Sequence, residues 1–218
     1  MTHAERMARF AESDLYVVVT EAFCAGRSPL EVLVRVLEAG VRLVQLREKD
    51  LDDRALHARA LEFRARTADA GALLIVDDRV DIALASGADG VHLGEFDLPV
   101  KAARRLAPDL IIGASSHNLN EALAAQSAGA SYVNIGPIFA TQTKSVATGA
   151  IGPSAIDAIA PRLSIPWSTM GGIKLHNINE VLERGARHIA VVTAVTEAPD
   201  PRNAARQLRG AILRHRIS

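Results

Sequence analysis

The chain has 218 residues, 49% of them apolar and 4% aromatic, which suits one domain, residues 1–218, with a single aliphatic core. Its 25 Lys and Arg balance 25 Asp and Glu, which excludes a global basic field for nucleic acid or an anionic membrane, so any phosphate binding must be local. The lone Cys24 can form no internal disulfide, residues 1–14 carry no apolar signal core, and no apolar run approaches the ~20 residues a spanning helix needs. These features predict a soluble, cytoplasmic protein.

In chain order, residues 1–13 read as a short helix closing the bottom of the fold. Short β-branched apolar runs then follow at Leu15–Val19, Arg42–Leu46, Leu73–Val76, Gly90–Leu93, Leu110–Gly113, Tyr132–Ile135, Ile165–Met170 and His188–Val192. Between them, Ser28–Ala39, Asp53–Ala70, Leu119–Ala128, Ile178–Glu183 and Arg202–Leu213 carry apolar residues three and four apart, the pattern of amphipathic helices. Gly40, Gly87, Gly129 and Gly185 stand where a helix stops before the next strand. Eight strand–helix alternations predict an α/β fold, a single (β/α)₈ TIM barrel with a short N-terminal helix. The rival, an open doubly wound sheet, lacks the expected GxGxxG after its first strand.

A barrel of this kind works at the C-terminal ends of its strands, and there the polar residues collect. Strand two alternates so that Gln45, Arg47 and Lys49 share one face and Val44 and Leu46 the other. With Val44 and Leu46 against the helices, Gln45 and Arg47 point into the barrel mouth. Arg47 there needs an anion, either a substrate or a salt bridge to Asp77 or Asp97. Asp78 and Asp97 follow adjacent strands and are either helix N-caps or a pair of hard ligands for Mg²⁺. The cations Arg47, Lys49 and Lys144 favour the metal, because carboxylate-bound Mg²⁺ with Arg and Lys suits a diphosphate. Thr141, Gln142, Thr143 and Lys144 open a long loop reaching Gly152, read either as a lid or as an ordinary flexible loop. Gly171-Gly172 after strand seven, with Val192, Thr193 and Ala194 after strand eight, occupies the usual phosphate position of such barrels. His117 is a site residue or a helix-starting one, His92 a packed and hydrogen-bonded strand residue, and His57, His176 and His215 surface positions. No histidine or cysteine spacing suits zinc, and Ser115 with His117 lacks the nucleophile elbow of a Ser-His-Asp hydrolase.

The segments LYVVVTEAF, VRLVQLREKDL, IVDDRVDIALASGADGVHLGEFDLP, IIGASSHNLNEAL, ASYVNIGPIFATQTK, MGGIKLHN and IAVVTAV together resemble the thiamine phosphate synthase family over nearly the whole chain. The resemblance implies coupling of 4-amino-5-hydroxymethyl-2-methylpyrimidine diphosphate to 4-methyl-5-(2-hydroxyethyl)thiazole phosphate, with release of diphosphate. It implies that Gln45, Leu46, Arg47, Glu48 and Lys49 hold the pyrimidine diphosphate, that Asp78 and Asp97 bind Mg²⁺, and that Asp77, Ser115 and Lys144 lie on the pyrimidine side. Thr141, Gln142, Thr143, Gly172, Val192 and Thr193 would cradle the thiazole phosphate. Arg47, Lys49, Ser115 and Lys144 would serve catalysis. The chain departs from the family's usual pattern with Asp77 for Asn, Glu95 for Gln, Ala140 for Pro, Thr193 for Ser, and a polar Ser168-Thr169 in strand seven. Asp77 adds a negative charge beside the pyrimidine site. A thiazole tautomerase on the same fold would carry His at Pro137 and lack the diphosphate residues, and a non-catalytic thiazole phosphate-binding regulator would bind without Mg²⁺ or turnover. The expected partners are small-molecule substrates, with no nucleic acid and no membrane, and a homodimer is left open.

Overall fold

The computed structural model describes residues 1–141 and 149–217. Strands β1 (Leu15–Val19), β2 (Leu43–Leu46), β3 (Leu73–Asp77), β4 (Gly90–Leu93), β5 (Ile111–Ser116), β6 (Tyr132–Ile135), β7 (Trp167–Thr169) and β8 (His188–Val191) pair in parallel, in that order. Pairing of Leu15 with Ile189 joins β1 to β8 and closes the barrel. Closure leaves no open strand edge.

Helix α1 (His3–Glu12) precedes β1, and α2 (Pro29–Glu38), α3 (Asp53–Asp69), α4 (Val80–Ala85), α5 (Val100–Leu106) and α6 (Leu119–Ser127) follow the first five strands. The remainder are α7 (Ser154–Ile159), α8 (Asn179–Leu182), α9 (Thr193–Thr196) and α10 (Pro201–Ile217). Their starts are written locally. Ser28, Asp52 and Asn118 accept from Glu31 N, Ala55 N and Glu121 N at 3.1, 2.8 and 3.0 Å, each satisfying a donor that the first turn leaves unpaired. Helix α2 ends at Gly40, whose φ of +84° turns the chain so that Val41 N reaches back to Val36 O at 3.2 Å; a side chain there would also strike the Arg209 guanidinium.

Period-two alternation sorts the strand residues into two cores. Leu15, Val17, Val19, Val44, Leu46, Leu74, Val76, Val91 and Val133 face the helices. Tyr16, Leu43, Leu73, Ile75, Ile111, Tyr132 and Ala190 fill the barrel with Phe10 of α1. Phe10 is fully buried and stacks on Tyr132 at 4.8 Å and against His188 at 4.7 Å. Helix α1 thus seals the end opposite the site, and replacing Phe10 with Ala should cost about 3–5 kcal/mol. Gly113 has no side chain because the Tyr132 ring occupies that space. Strand β5 runs further than its apolar run, to Ser116, and β7 is shorter than the Ile165–Met170 run. Helices α4, α5 and α7 are too short to show a helical period in the sequence.

Candidate active site

A cavity of about 270 Å³ lies at the C-terminal ends of the strands. Gln45, Arg47, Lys49, Asp77, Asp78, Asp97, Ser115, Thr141, Gly172, Val192 and Thr193 all line it. Leu46 and Glu48 lie elsewhere. The Leu46 side chain is buried in the outer core, because the alternation that turns Gln45 and Arg47 inward turns it outward. Glu48 accepts from Glu21 N at 3.0 Å and Arg59 Nη1 at 3.1 Å, so it ties the β1 and β2 loops together. Neither side chain touches the cavity. Gln142, Thr143 and Lys144 fall outside the described residues, as does most of the loop read as a lid.

Charge is concentrated on the β2–β4 side. Arg47 Nε and Lys49 Nζ lie 3.4 and 3.0 Å from Asp77 Oδ2, and Lys49 also pairs with Asp78. Of the two anions open to Arg47, Asp77 is the one it meets. Burial, reinforced by the neighbouring Asp78 charge, pushes the Asp77 carboxyl up to about 6, while Lys49 and Arg47 pull it back.

Asp78 and Asp97 are not helix caps, since Arg79 and Pro99 hold the N-cap positions of α4 and α5. Asp78 instead adopts a left-handed φ of +60°, a strained conformation that Asp tolerates better than most residues. Asp97 closes the β4 loop by accepting from Gly94 N at 2.7 Å. The two carboxyls lie close enough to perturb each other. Burial, then the neighbouring Asp78, raises Asp97; against burial, the neighbouring Asp97 and the Lys49 ammonium hold Asp78 below its ordinary value. Two neighbouring carboxyls beside cationic side chains are the hard-oxygen set that would hold a divalent cation. Among the described residues no group of three or more His, Cys, Asp or Glu could hold a metal. A cation here would therefore draw further ligands from water or substrate oxygens, as Mg²⁺ does.

The opposite side is built from backbone. Gly172, with φ +62°, sits so close to the β6 loop that a Cβ would lie 2.5 Å from Ala140 O. Met170 O and Gly171 O accept from Ile138 N and Phe139 N at 2.8 and 2.9 Å, which joins the β6 and β7 loops. Val192 and Thr193 stand beside them where α9 begins. The polar residues of β7 are bonded too, Ser168 Oγ to Asn134 Oδ1 and Thr169 Oγ1 to Ile135 O, both at 2.9 Å.

Beneath the cavity runs a row of side chains that sequence reasoning did not connect. Gln45 Nε2 donates to Tyr16 OH at 2.7 Å, Tyr16 OH meets Tyr132 OH at 3.1 Å, and Tyr132 OH meets His92 Nδ1 at 2.9 Å. His92 Nε2 lies 3.0 Å from Ser115 Oγ. His92, packed and hydrogen-bonded, also lines the cavity, as do Asn134 and Met170. The period of two that placed Gln45 and Arg47 places Tyr16 on the face of Val18, and Tyr132 on that of Asn134. Applied to β1 and β6, it would have found both tyrosines. His117 bonds Glu121 through both its N–H and Nδ1 at 2.8 Å, and it borders the cavity as well.

The fold and site define a (β/α)₈ barrel with a cationic, carboxylate-bearing pocket facing a glycine-built one. A sequence model of thiamine monophosphate synthase matches residues 15–195, and the chain belongs to that family. It is 40% identical to a thiamine-phosphate synthase of Pelotomaculum thermopropionicum, covering 98% of this chain and 99% of the other. It is 46% identical to that of Chloroflexus aurantiacus, covering 94% and 95%. Among solved structures, thiamine phosphate pyrophosphorylase from Pyrococcus furiosus superposes with a TM-score of 0.87 at 38% identity, over 94% and 97% of the chains. A 3-hexulose-6-phosphate synthase, at 20% identity and a TM-score of 0.67, shares the fold.

Proposed function

We propose that this chain catalyses its family's reaction, joining the pyrimidine diphosphate to the thiazole phosphate and releasing diphosphate. One observation carries the assignment: Arg47, Lys49, Asp78 and Asp97 converge on one side of a cavity whose other side is Gly172, Val192 and Thr193. A tautomerase or a thiazole phosphate sensor has no diphosphate to hold and no use for the first set.

The Asp78–Asp97 pair would hold Mg²⁺, which when bound supplies positive charge to the diphosphate oxygens. Arg47 and Lys49 neutralise the charge that grows on the leaving oxygen as the methylene C–O bond breaks and its electron pair departs with diphosphate. For this they exchange Asp77 for the substrate. Gln45 and Ser115 orient the aminopyrimidine, whose amino group feeds electrons to the methylene carbon. The thiazole nitrogen then forms the C–N bond with its lone pair. It has no proton to lose, so the site needs no general base. Gly172, Val192 and Thr193 hold the thiazole phosphate through backbone groups, the separate donors a second anion requires. Lys144 would add a third cation, with Thr141, Gln142 and Thr143 beside the thiazole phosphate. The free thiol of Cys24, buried beside β1, agrees with a cytoplasmic setting.

Purified protein, both substrates and Mg²⁺ should yield diphosphate and thiamine phosphate in equal amounts. Thiazole phosphate binding without turnover would make the chain a sensor; isomerisation of a thiazole phosphate without diphosphate release would make it a tautomerase.

A further inference from the structure

The hydrogen-bonded row under the cavity crosses five strands. It links Gln45 on β2 to Ser115 on β5 through Tyr16 (β1), Tyr132 (β6) and His92 (β4). Tyr16 and Tyr132 are almost wholly buried, and burial raises both phenols well above their ordinary values. Each keeps one proton to give.

That single proton makes the row directional. An amide nitrogen only donates, so Tyr16 OH accepts from Gln45 Nε2 and must donate to Tyr132 OH. Tyr132, having accepted, donates to His92 Nδ1. An imidazole that accepts at Nδ1 carries its proton on Nε2, so His92 donates to Ser115 Oγ. The Ser115 hydroxyl proton is then left to donate elsewhere, while the Gln45 carbonyl oxygen is left to accept. A reversed amide would invert every bond in the row at once. The two ends are therefore always opposite in kind, one acceptor and one donor.

We propose that Tyr16 and Tyr132 are positioning residues that fix the hydrogen-bond polarity of the pyrimidine subsite, holding Gln45 as acceptor for an exocyclic amino group and Ser115 as donor to a ring nitrogen. This rests on the reading of Gln45 and Ser115 as pyrimidine-binding. The ligand class it selects is a 4-aminopyrimidine. A 4-oxopyrimidine presents the reverse pattern, an acceptor oxygen and a ring N–H donor, and meets like against like at both ends. Tyr132 is the joint of the row, bonding Tyr16 of the Gln45–Tyr16 half and His92 of the His92–Ser115 half.

Two measurements test this. In ¹⁵N-histidine-labelled protein, with the His92 signal assigned by its loss in His92→Gln, His92 should be the Nε2–H tautomer with a pyridine-like Nδ1. In Tyr132→Phe, which keeps the ring and removes the hydroxyl, that tautomer should no longer be fixed. Tyr16→Phe should release it as well, because Tyr132 then has no Tyr16 hydroxyl to accept from and its own proton is no longer committed to His92. The second measurement is the Kd, with Mg²⁺ and without thiazole phosphate, for the 4-amino- and 4-oxopyrimidine diphosphates. The wild type should prefer the amino form at least tenfold, and Tyr132→Phe should shrink that preference at least fivefold while KM for thiazole phosphate stays within twofold. A wild-type His92 protonated on Nδ1, or equal binding of the two pyrimidines by the wild type, overturns the proposal. So does an unchanged preference in Tyr132→Phe, or equal losses for both substrates. A wild type that binds neither pyrimidine diphosphate and turns nothing over refutes the assigned function and with it the subsite, while the tautomer still reports whether the row is directional.

Discussion

Asp77 stands between the two cations that the diphosphate needs. Its side chain is 10% exposed, and Arg47 and Lys49 lie 3.4 and 3.0 Å from one of its oxygens. Asp77→Asn keeps the size and removes the charge. The carboxyl is raised from 3.8 to about 6 by burial and then by Asp78, net of the cations beside it. A carboxyl raised in the fold binds more protons folded than unfolded between those two values, so its contribution to stability is present below 3.8 and lost as pH rises through 6. At ~1.4 kcal/mol per pH unit, the ionised carboxylate costs the fold up to about 3 kcal/mol above pH 6. In magnesium-free buffer, Asp77→Asn should therefore melt several degrees higher than the wild type at pH 8, at roughly 2–4 °C per kcal/mol, and show no gain at pH 4. Freed of their internal anion, Arg47 and Lys49 should keep or improve kcat/KM for the pyrimidine diphosphate, by up to about tenfold, or ~1.4 kcal/mol. Thermal melts at the two pH values and steady-state kinetics at pH 8 check both. A tenfold or greater loss of kcat/KM, or a melting difference independent of pH, would refute the reasoning and make the carboxylate a substrate contact in its own right.

Asp78→Ala and Asp97→Ala should each abolish Mg²⁺-dependent turnover while the protein still melts cooperatively; Asp97→Ala forfeits the bond from Gly94 N, at about 1 kcal/mol. Full activity in either variant would remove the metal assignment. Gly172→Val forces a Cβ to within 2.5 Å of Ala140 O at a φ of +62°, so it should raise KM for thiazole phosphate far more than KM for the pyrimidine diphosphate; equal increases would contradict the division of the cavity. His188, buried against Phe10 and Ser13, is pushed down to about 4, chiefly by burial and then by Arg216. With a folded value below the unfolded ~6.5, the stability it contributes is present above pH 6.5 and lost as pH falls toward 4, to about 3 kcal/mol. Denaturant titrations at pH 7.5 and 4.5 should show the difference in the wild type and a smaller one in His188→Gln.

Much of the barrel was legible in the chain because its determinants are local. The apolar runs of β1 to β6, the caps at Ser28, Asp52 and Asn118, and the stop at Gly40 each depend on residues within a few positions. Period two also places Gln45, Arg47 and Lys49 on one face of β2, and the barrel architecture brings Asp78 and Asp97 to neighbouring strand ends. Tertiary structure decided which of these groups meet. Nothing local says that Arg47 takes Asp77 rather than Asp97, or that Asp78 turns left-handed to pair with Lys49 instead of capping α4. Tyr16 and Tyr132 are 116 residues apart in the chain and touch only because closure of β8 on β1 brings opposite strands across one narrow interior. Gly113 reads as the end of a strand, but β5 runs on to Ser116 with the Tyr132 ring filling the space beside the glycine. A strand's face follows from a repeat of two residues, but the partner opposite that face follows from the register of all eight strands at once.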